Sequence, residues 1–111
     1  DMTDHFNAEV EMHIVDDRLT CPACGGQSLH QGLVAVFYRD QEDAPATVTI
    51  VHANDVTQVP NAKNSPSARR DGVLIDMECE NCEAISKFAV WQHKGSTYMA
   101  WAELGQSDQQ T

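Results

Sequence analysis

Two Cys-x-x-Cys pairs, CPAC at residues 21–24 and CENC at residues 79–82, constrain this chain more than any other feature. A tight turn that carries two thiols presents both from one side, and two such turns facing each other supply the four soft ligands of a tetrahedral zinc site. Cys24 and Cys79 are separated by 54 residues, so a site of this kind fixes a long-range contact before any strand is assigned. Pro22 stiffens the first turn. Gly25 permits the left-handed backbone that aims N–H groups at sulfur, and such bonds offset thiolate charge.

The competing redox reading needs a Cys-x-x-Cys that opens a helix after a strand. GGQSLHQG, which follows Cys24, is a poor helix start, and two separate redox pairs in one small domain would be unusual. A zinc site therefore ranks above two disulfides, and both rank above free thiols. With Cys21, Cys24, Cys79 and Cys82 filling all four positions, no place is left for an activated water, so the zinc is expected to be structural and to contribute folding energy. Glu83 departs from the pattern, because a glycine often follows the last cysteine of such a turn. His30 and His93 are secondary ligand candidates, since a histidine on a strand is more often a satisfied structural residue.

No apolar run approaches the roughly 20 residues needed to cross a bilayer, and the acidic N-terminus has no basic region followed by an apolar one. A cytoplasmic location is expected, where thiols stay reduced. Seventeen acidic against seven basic residues give a formal charge of −10 in 111 residues. Such a field repels phosphate backbones and counts against a general nucleic-acid binder, without excluding a local basic site.

Residues 1–18 form a polar, acidic extension, with apolar spacing that suits a strand or a helical stripe. LHQGLVAVFYRD predicts a strand over Leu29–Arg39 that is apolar on both faces, and so mostly covered. ATVTIVH predicts a β-branched strand over Ala46–His52. VTQVPNAKNSPSARRDG reads as a long loop with at most one short strand, because it is polar and holds Pro60, Pro66 and Gly72. Val73–Cys79 is a further strand. The segment after CENC is a hairpin turning at HKGS, where Gly95 supplies a positive φ. Residues 105–111 are a flexible tail by composition. Strand follows strand without a convincing long helix, which predicts a small all-β domain, an antiparallel sheet spanning residues 19–104.

Beyond the cysteines, SPSARRDG places Arg69 and Arg70 among hydroxyls, where guanidinium groups can bind a phosphate or a carboxylate. Internal pairing with the chain's own abundant carboxylates is the preferred reading of both. His93 and Lys94 lie at the hairpin tip, near Trp91 and Trp101, as a candidate contact surface. At least one tryptophan is expected in the core. No nucleophile elbow, phosphate-binding glycine loop or H-E-x-x-H motif occurs, and the histidines are scattered, so no catalytic residue is assigned.

The order CPxCG, LHQGLVAVFYRD, NSPSARRDG, a strand ending in CENC, then QHKGST and a final tryptophan resembles a group of short uncharacterised, zinc-ribbon-like proteins encoded in phage and bacterial genomes. The similarity runs from about Leu19 to Glu103. It implies the same four zinc ligands and a zinc-ribbon-like fold with a long insertion between its two knuckles; it implies no activity. The functional expectation is a non-enzymatic, zinc-stabilised module that binds a protein partner, an accessory of phage or mobile-element type. The alternative is a nucleic-acid-binding ribbon using a local patch of Arg69, Arg70 and Lys94 with Lys63 and Lys87. Two-sided apolar strands and open edges also make a homodimer an expectation.

Overall fold

The computed structural model describes residues 17–102. The extension over residues 1–18 thus lies almost wholly outside the described residues, and the tail over 105–111 entirely so. Six strands run Leu29–Tyr38 (β1), Ala46–His52 (β2), Asp55–Ala62 (β3), Gly72–Cys79 (β4), Ile85–His93 (β5) and Ser96–Ala102 (β6). They form one antiparallel sheet in the order β3-β2-β1-β4-β5-β6. β1 and β4 therefore occupy the centre, and β3 and β6 are the edges. Among the described residues there is no helix, so none is long and apolar enough to cross a membrane.

The local chemistry explains most of these elements. The two-residue turn between β5 and β6 has Lys94 at φ 49° and Gly95 at φ 81°. Two successive positive φ values match the right-handed twist of the arms, so the hairpin closes tightly at the predicted place. β1 bends where Gly32 and Leu33 together face the single residue Asp76, a bulge between the Gln31–Met77 and Val34–Ile75 pairs. A Cβ at Gly32 would sit 3.7 Å from the Asp76 Cβ, an ordinary contact, so the bulge itself does not demand glycine.

β3 corrects the reading of residues 56–72 as mainly a long loop: eight residues, Asp55–Ala62, pair with β2. Pro60 does not prevent this because β3 is an edge. Pro60 and Asn61 together face Thr47 in a second bulge, and Asn61 takes a φ of 53°. A proline is tolerated where no ladder N–H is needed.

The register sorts the side chains into two faces. Ala35, Phe37, Ala46 and Val48 are buried on one face, with Leu33, Ile50, Ala62 and Leu74 packed against them. This core face has short side chains near its middle. Ala35, Leu74, Ala89 and Ala100 lie side by side across β1, β4, β5 and β6. The other face carries Val34, Val36, Val73, Ile75, Phe88, Val90 and Trp101, none of which is buried. Burial is thus one-sided, whereas the pattern of β1 predicts cover on both faces.

The end of the sheet away from the cysteines is tied by Arg39. Its Nε donates to the Ala44 carbonyl at 2.7 Å and its Nη1 to the Ser67 carbonyl at 3.0 Å, with a further bond to the Arg70 carbonyl. Its backbone N–H donates to the Asp71 carboxylate at 2.9 Å. One guanidinium therefore joins the β1–β2 loop to the segment that enters β4, a fork geometry a lysine cannot reproduce. Ser67, only 3% exposed, donates its hydroxyl to the Gln92 carbonyl and accepts from the Arg70 N–H, both at 2.9 Å.

Candidate metal centre

The first knuckle, residues 21–26, ends two residues before β1, and the second, residues 79–84, begins at the last residue of β4. β1 and β4 are neighbours, and Leu29 pairs with Cys79. The sheet register alone therefore carries the two knuckles to the same place. The Glu80 N–H donates to the Ser28 carbonyl at 3.0 Å and fastens them further.

Both knuckles have the same backbone. In the first, the Gly25 N–H donates to the Cys21 carbonyl at 2.8 Å, and the Cys21 N–H to the Gly26 carbonyl at 2.7 Å. In the second, the Glu83 N–H donates to the Cys79 carbonyl at 2.9 Å, and the Cys79 N–H to the Ala84 carbonyl at 3.0 Å. Sulfur receives backbone donors as the sequence suggests, from Ala23 to Cys21 at 3.3 Å and from Gly26 to Cys24 at 3.4 Å. A side chain on Gly26 would meet the Asn81 amide at 2.2 Å, so the knuckles interlock through that glycine.

Glu83 occupies the position of Gly25. Gly25 has φ 81° and Glu83 has φ 65°. The left-handed conformation costs a residue with a Cβ about 1–2 kcal/mol, part of which a glycine gives back in unfolded-chain entropy. Glu83→Gly is therefore expected to raise the stability of the metal-loaded protein by about 0.5–1 kcal/mol. Gly25→Glu, at a site with nothing within 4 Å of a new Cβ, is expected to lower it by a similar amount. Thermal melts of the two variants check this; shifts of the same sign would show that φ does not control the site.

The four Sγ atoms lie within 4.8 Å of one another. Cys21 to Cys82 is 3.7 Å and Cys24 to Cys79 is 3.6 Å. A tetrahedron with metal–sulfur bonds of about 2.3 Å has edges of about 3.8 Å. All four cysteines are free thiols. Cys21 and Cys79 are buried, while Cys24 and Cys82 are exposed. The cluster is thus a single candidate metal site held half inside the protein.

The thiols cannot all ionise on their own. At Cys21 burial opposes ionisation, but the Ala23 and Cys24 N–H groups and the neighbouring thiols outweigh it and lower the pKa to about 7. At Cys82 the Ala84 N–H favours the thiolate, yet burial and the Cys24, Cys21 and Cys79 sulfurs push the pKa up to about 12. Cys24 is also raised, the Gly26 N–H being outweighed chiefly by Cys79. One charge forms readily and further ones repel it, a mismatch that a divalent cation relieves.

The other candidate residues are not at this site. His30 pairs with Glu80, both side chains being more than half exposed. The His93 ring meets Tyr98 edge-on at 6.0 Å, and Tyr98 stacks on Trp91 at 5.7 Å. Neither histidine belongs to the cysteine cluster. Arg69 pairs with Asp43 at 2.8 Å and Glu42 at 3.0 Å, and Arg70 with Glu42 at 3.5 Å. The Arg69 hydrogen bond, against some desolvation, holds the Asp43 carboxyl below its usual range, and Asp43 and Glu42 together raise Arg69. The two arginines line a shallow pocket of about 210 Å³ that also contains Glu42 and Asp71, so its charge is mixed. Arg39 is the organising residue that sequence reasoning missed. Its only signal was a lone arginine ending a β-run, which is too common to single out.

No family model, no curated protein and no solved structure matches the chain, so the assignment rests on the four sulfurs and the sheet that brings them together.

Proposed function

We propose that this chain is a non-enzymatic binding module stabilised by one structural zinc ion, an accessory of phage or mobile-element type that engages a protein. The choice of zinc is supported by the all-sulfur donor set and its near-tetrahedral spacing, which suit zinc, or iron as the other S₄ metal. The observation that carries the binding-module reading is the use made of the basic side chains. Of the seven, Arg69, Arg70 and Lys87 are held by carboxylates, Arg39 by carbonyls, and Arg18 donates to the Gln27 side chain at 3.4 Å. Lys63 and Lys94 follow strands at opposite sides of the sheet, β3 and β5. These positions do not offer phosphate one free patch, and the overall charge opposes it.

A protein partner fits the surface better. Trp91, Tyr98 and His93 form an aromatic group on the β5–β6 hairpin, with Tyr98 46% exposed in an otherwise acidic molecule. Aromatic side chains of this kind anchor interfaces at low entropic cost. The test is affinity capture with the zinc-loaded protein from lysate divided into nuclease-treated and untreated halves. Tyr98→Ala and the double variant Arg69→Ala/Arg70→Ala run alongside. A protein retained after nuclease and lost in Tyr98→Ala is the expected result. Nucleic acid recovered instead, and lost with the arginines and with added salt, would replace this reading with the ribbon alternative. Metal analysis finding one zinc per chain is expected, and iron in its place would change the cofactor.

A further inference from the structure

Register places two complete rows of side chains on the sheet face opposite the core. One row runs Val56, Val51, Val34, Ile75, Phe88, Trp101 across all six strands. The next runs Gln58, Thr49, Val36, Val73, Val90, Met99. These twelve cross-strand positions contain no Asp, Glu, Lys or Arg. The opposite face of the same strands holds Asp76 and Lys87 as an ion pair. The four charged residues of the strands, Asp55, Asp76, Glu78 and Lys87, all lie on that opposite face. None of the twelve is buried: the central ones, such as Val34, Ile75 and Phe88, are half-buried, and Val56, Met99 and Val36 are 65%, 73% and 40% exposed.

We propose that a second copy of this chain docks on this face, giving a two-fold dimer in which two sheets pack as a sandwich. Six strands about 4.8 Å apart, with the two rows and the flanking Tyr38 and Met77, present a face of roughly 24 by 20 Å, about 500 Å². Two copies then bury on the order of 1,000 Å², at the floor for a biological interface and the size of a weak, concentration-dependent dimer. The face is flat in chemistry as well as uncharged, so it offers no charge code by which a different protein would be recognised. Two identical copies need none, because a two-fold axis sets the same uncharged rows against each other. The Phe88 and Trp101 rings, 5.3 Å apart and edge-to-face, supply the large apolar area that such interfaces use.

Each copy brings a formal −10, so association is opposed by long-range repulsion, and salt screens it. The dimer is therefore expected to tighten as salt is added, the reverse of a complex held by opposite charges. The inference is independent of the aromatic partner site, which lies on the other face.

The experiment is light scattering coupled to gel filtration on the full zinc-loaded chain, from about 1 µM to several hundred µM, at low and high salt. The expected result is a dimer whose dissociation constant falls with salt. Val36→Lys and Met99→Lys, both at exposed positions that leave the monomer's core intact, are each expected to weaken it at least about tenfold. Ile85→Lys, an equally exposed apolar residue on the core face, is expected to leave it unchanged. Melting temperature and zinc content confirm that the variants fold. A monomer at every concentration would overturn the proposal and give the face to another occupant, either residues 1–16 of the same chain or a different protein. Equal weakening by Ile85→Lys would also overturn it, by placing the contact elsewhere. Tyr98→Ala is expected to remove partner capture while leaving the dimer mass unchanged, so the two readings fail separately.

Discussion

Stripping the metal with a strong chelator is expected to abolish cooperative folding of this chain. The sheet has little else to hold its cysteine end. The buried apolar core is Ala35, Phe37, Ala46 and Val48, and all four lie away from the knuckles. A structural zinc of this type contributes about 10–16 kcal/mol, while a whole domain of this size is stable by only about 5–15 kcal/mol. Without the cation, four thiols are left within 4.8 Å of one another with nothing to bind them together. The expected readout is loss of the sheet's circular-dichroism signal and of a sharp thermal transition, restored by adding zinc back. Substitution should follow burial. Cys79→Ser, at a position 2% exposed and in the β1–β4 ladder, should mimic the chelator, whereas Cys24→Ser, at the exposed rim, should leave a weakened three-thiolate site. A metal-free chain that melts cooperatively within a few degrees of the loaded one would show the site to be functional in some way other than as a fold staple.

The knuckles and the hairpin turn were legible in the sequence because their determinants are local. Cys-x-x-Cys fixes its own turn, and Lys94-Gly95 fixes another. β3 was not, because an edge strand exposed at all but its last position carries no burial pattern, and Pro60 reads as a breaker until the bulge is seen. The roles of the arginines were half legible. Abundant carboxylates made internal pairing the preferred reading of Arg69 and Arg70, yet Asp43 is 26 residues from Arg69, and only the fold selects it. Arg39 was illegible for the same reason, since its partners are carbonyls from two loops that meet at the end of the sheet. The apolar alternation of LVAVFY was visible too. What it could not reveal is which of two apolar faces the molecule covers, because that depends on loops contributed from elsewhere.

That choice of face has a direct consequence at Phe37 and Tyr38, neighbours on β1 that point opposite ways. Phe37 is 4% exposed and is the one large side chain in the buried cluster. It pairs across the ladder with Val48 on one side and Gly72 on the other. Gly72 has no room for a side chain, since a Cβ there would lie 2.6 Å from Pro66 and 3.3 Å from the Trp91 Cβ. The surroundings cannot collapse into a void on that side without moving the loop that Arg39 and Ser67 hold in place. Phe37→Ala is therefore expected to cost about 3–5 kcal/mol, at the full cavity value. For a domain of this size that corresponds to a fall in Tm on the order of 20 °C. Phe37→Leu, which refills most of the space, should cost less than about 1.5 kcal/mol. Tyr38 is 55% exposed, and Tyr38→Ala, measured at dilution where copies of the chain do not associate, should cost less than about 1 kcal/mol. Denaturant titrations of the three variants decide the matter. If Tyr38→Ala cost as much as Phe37→Ala in the monomer, the core would lie on the face described above as open, and the dimer argued from that face would lose its ground.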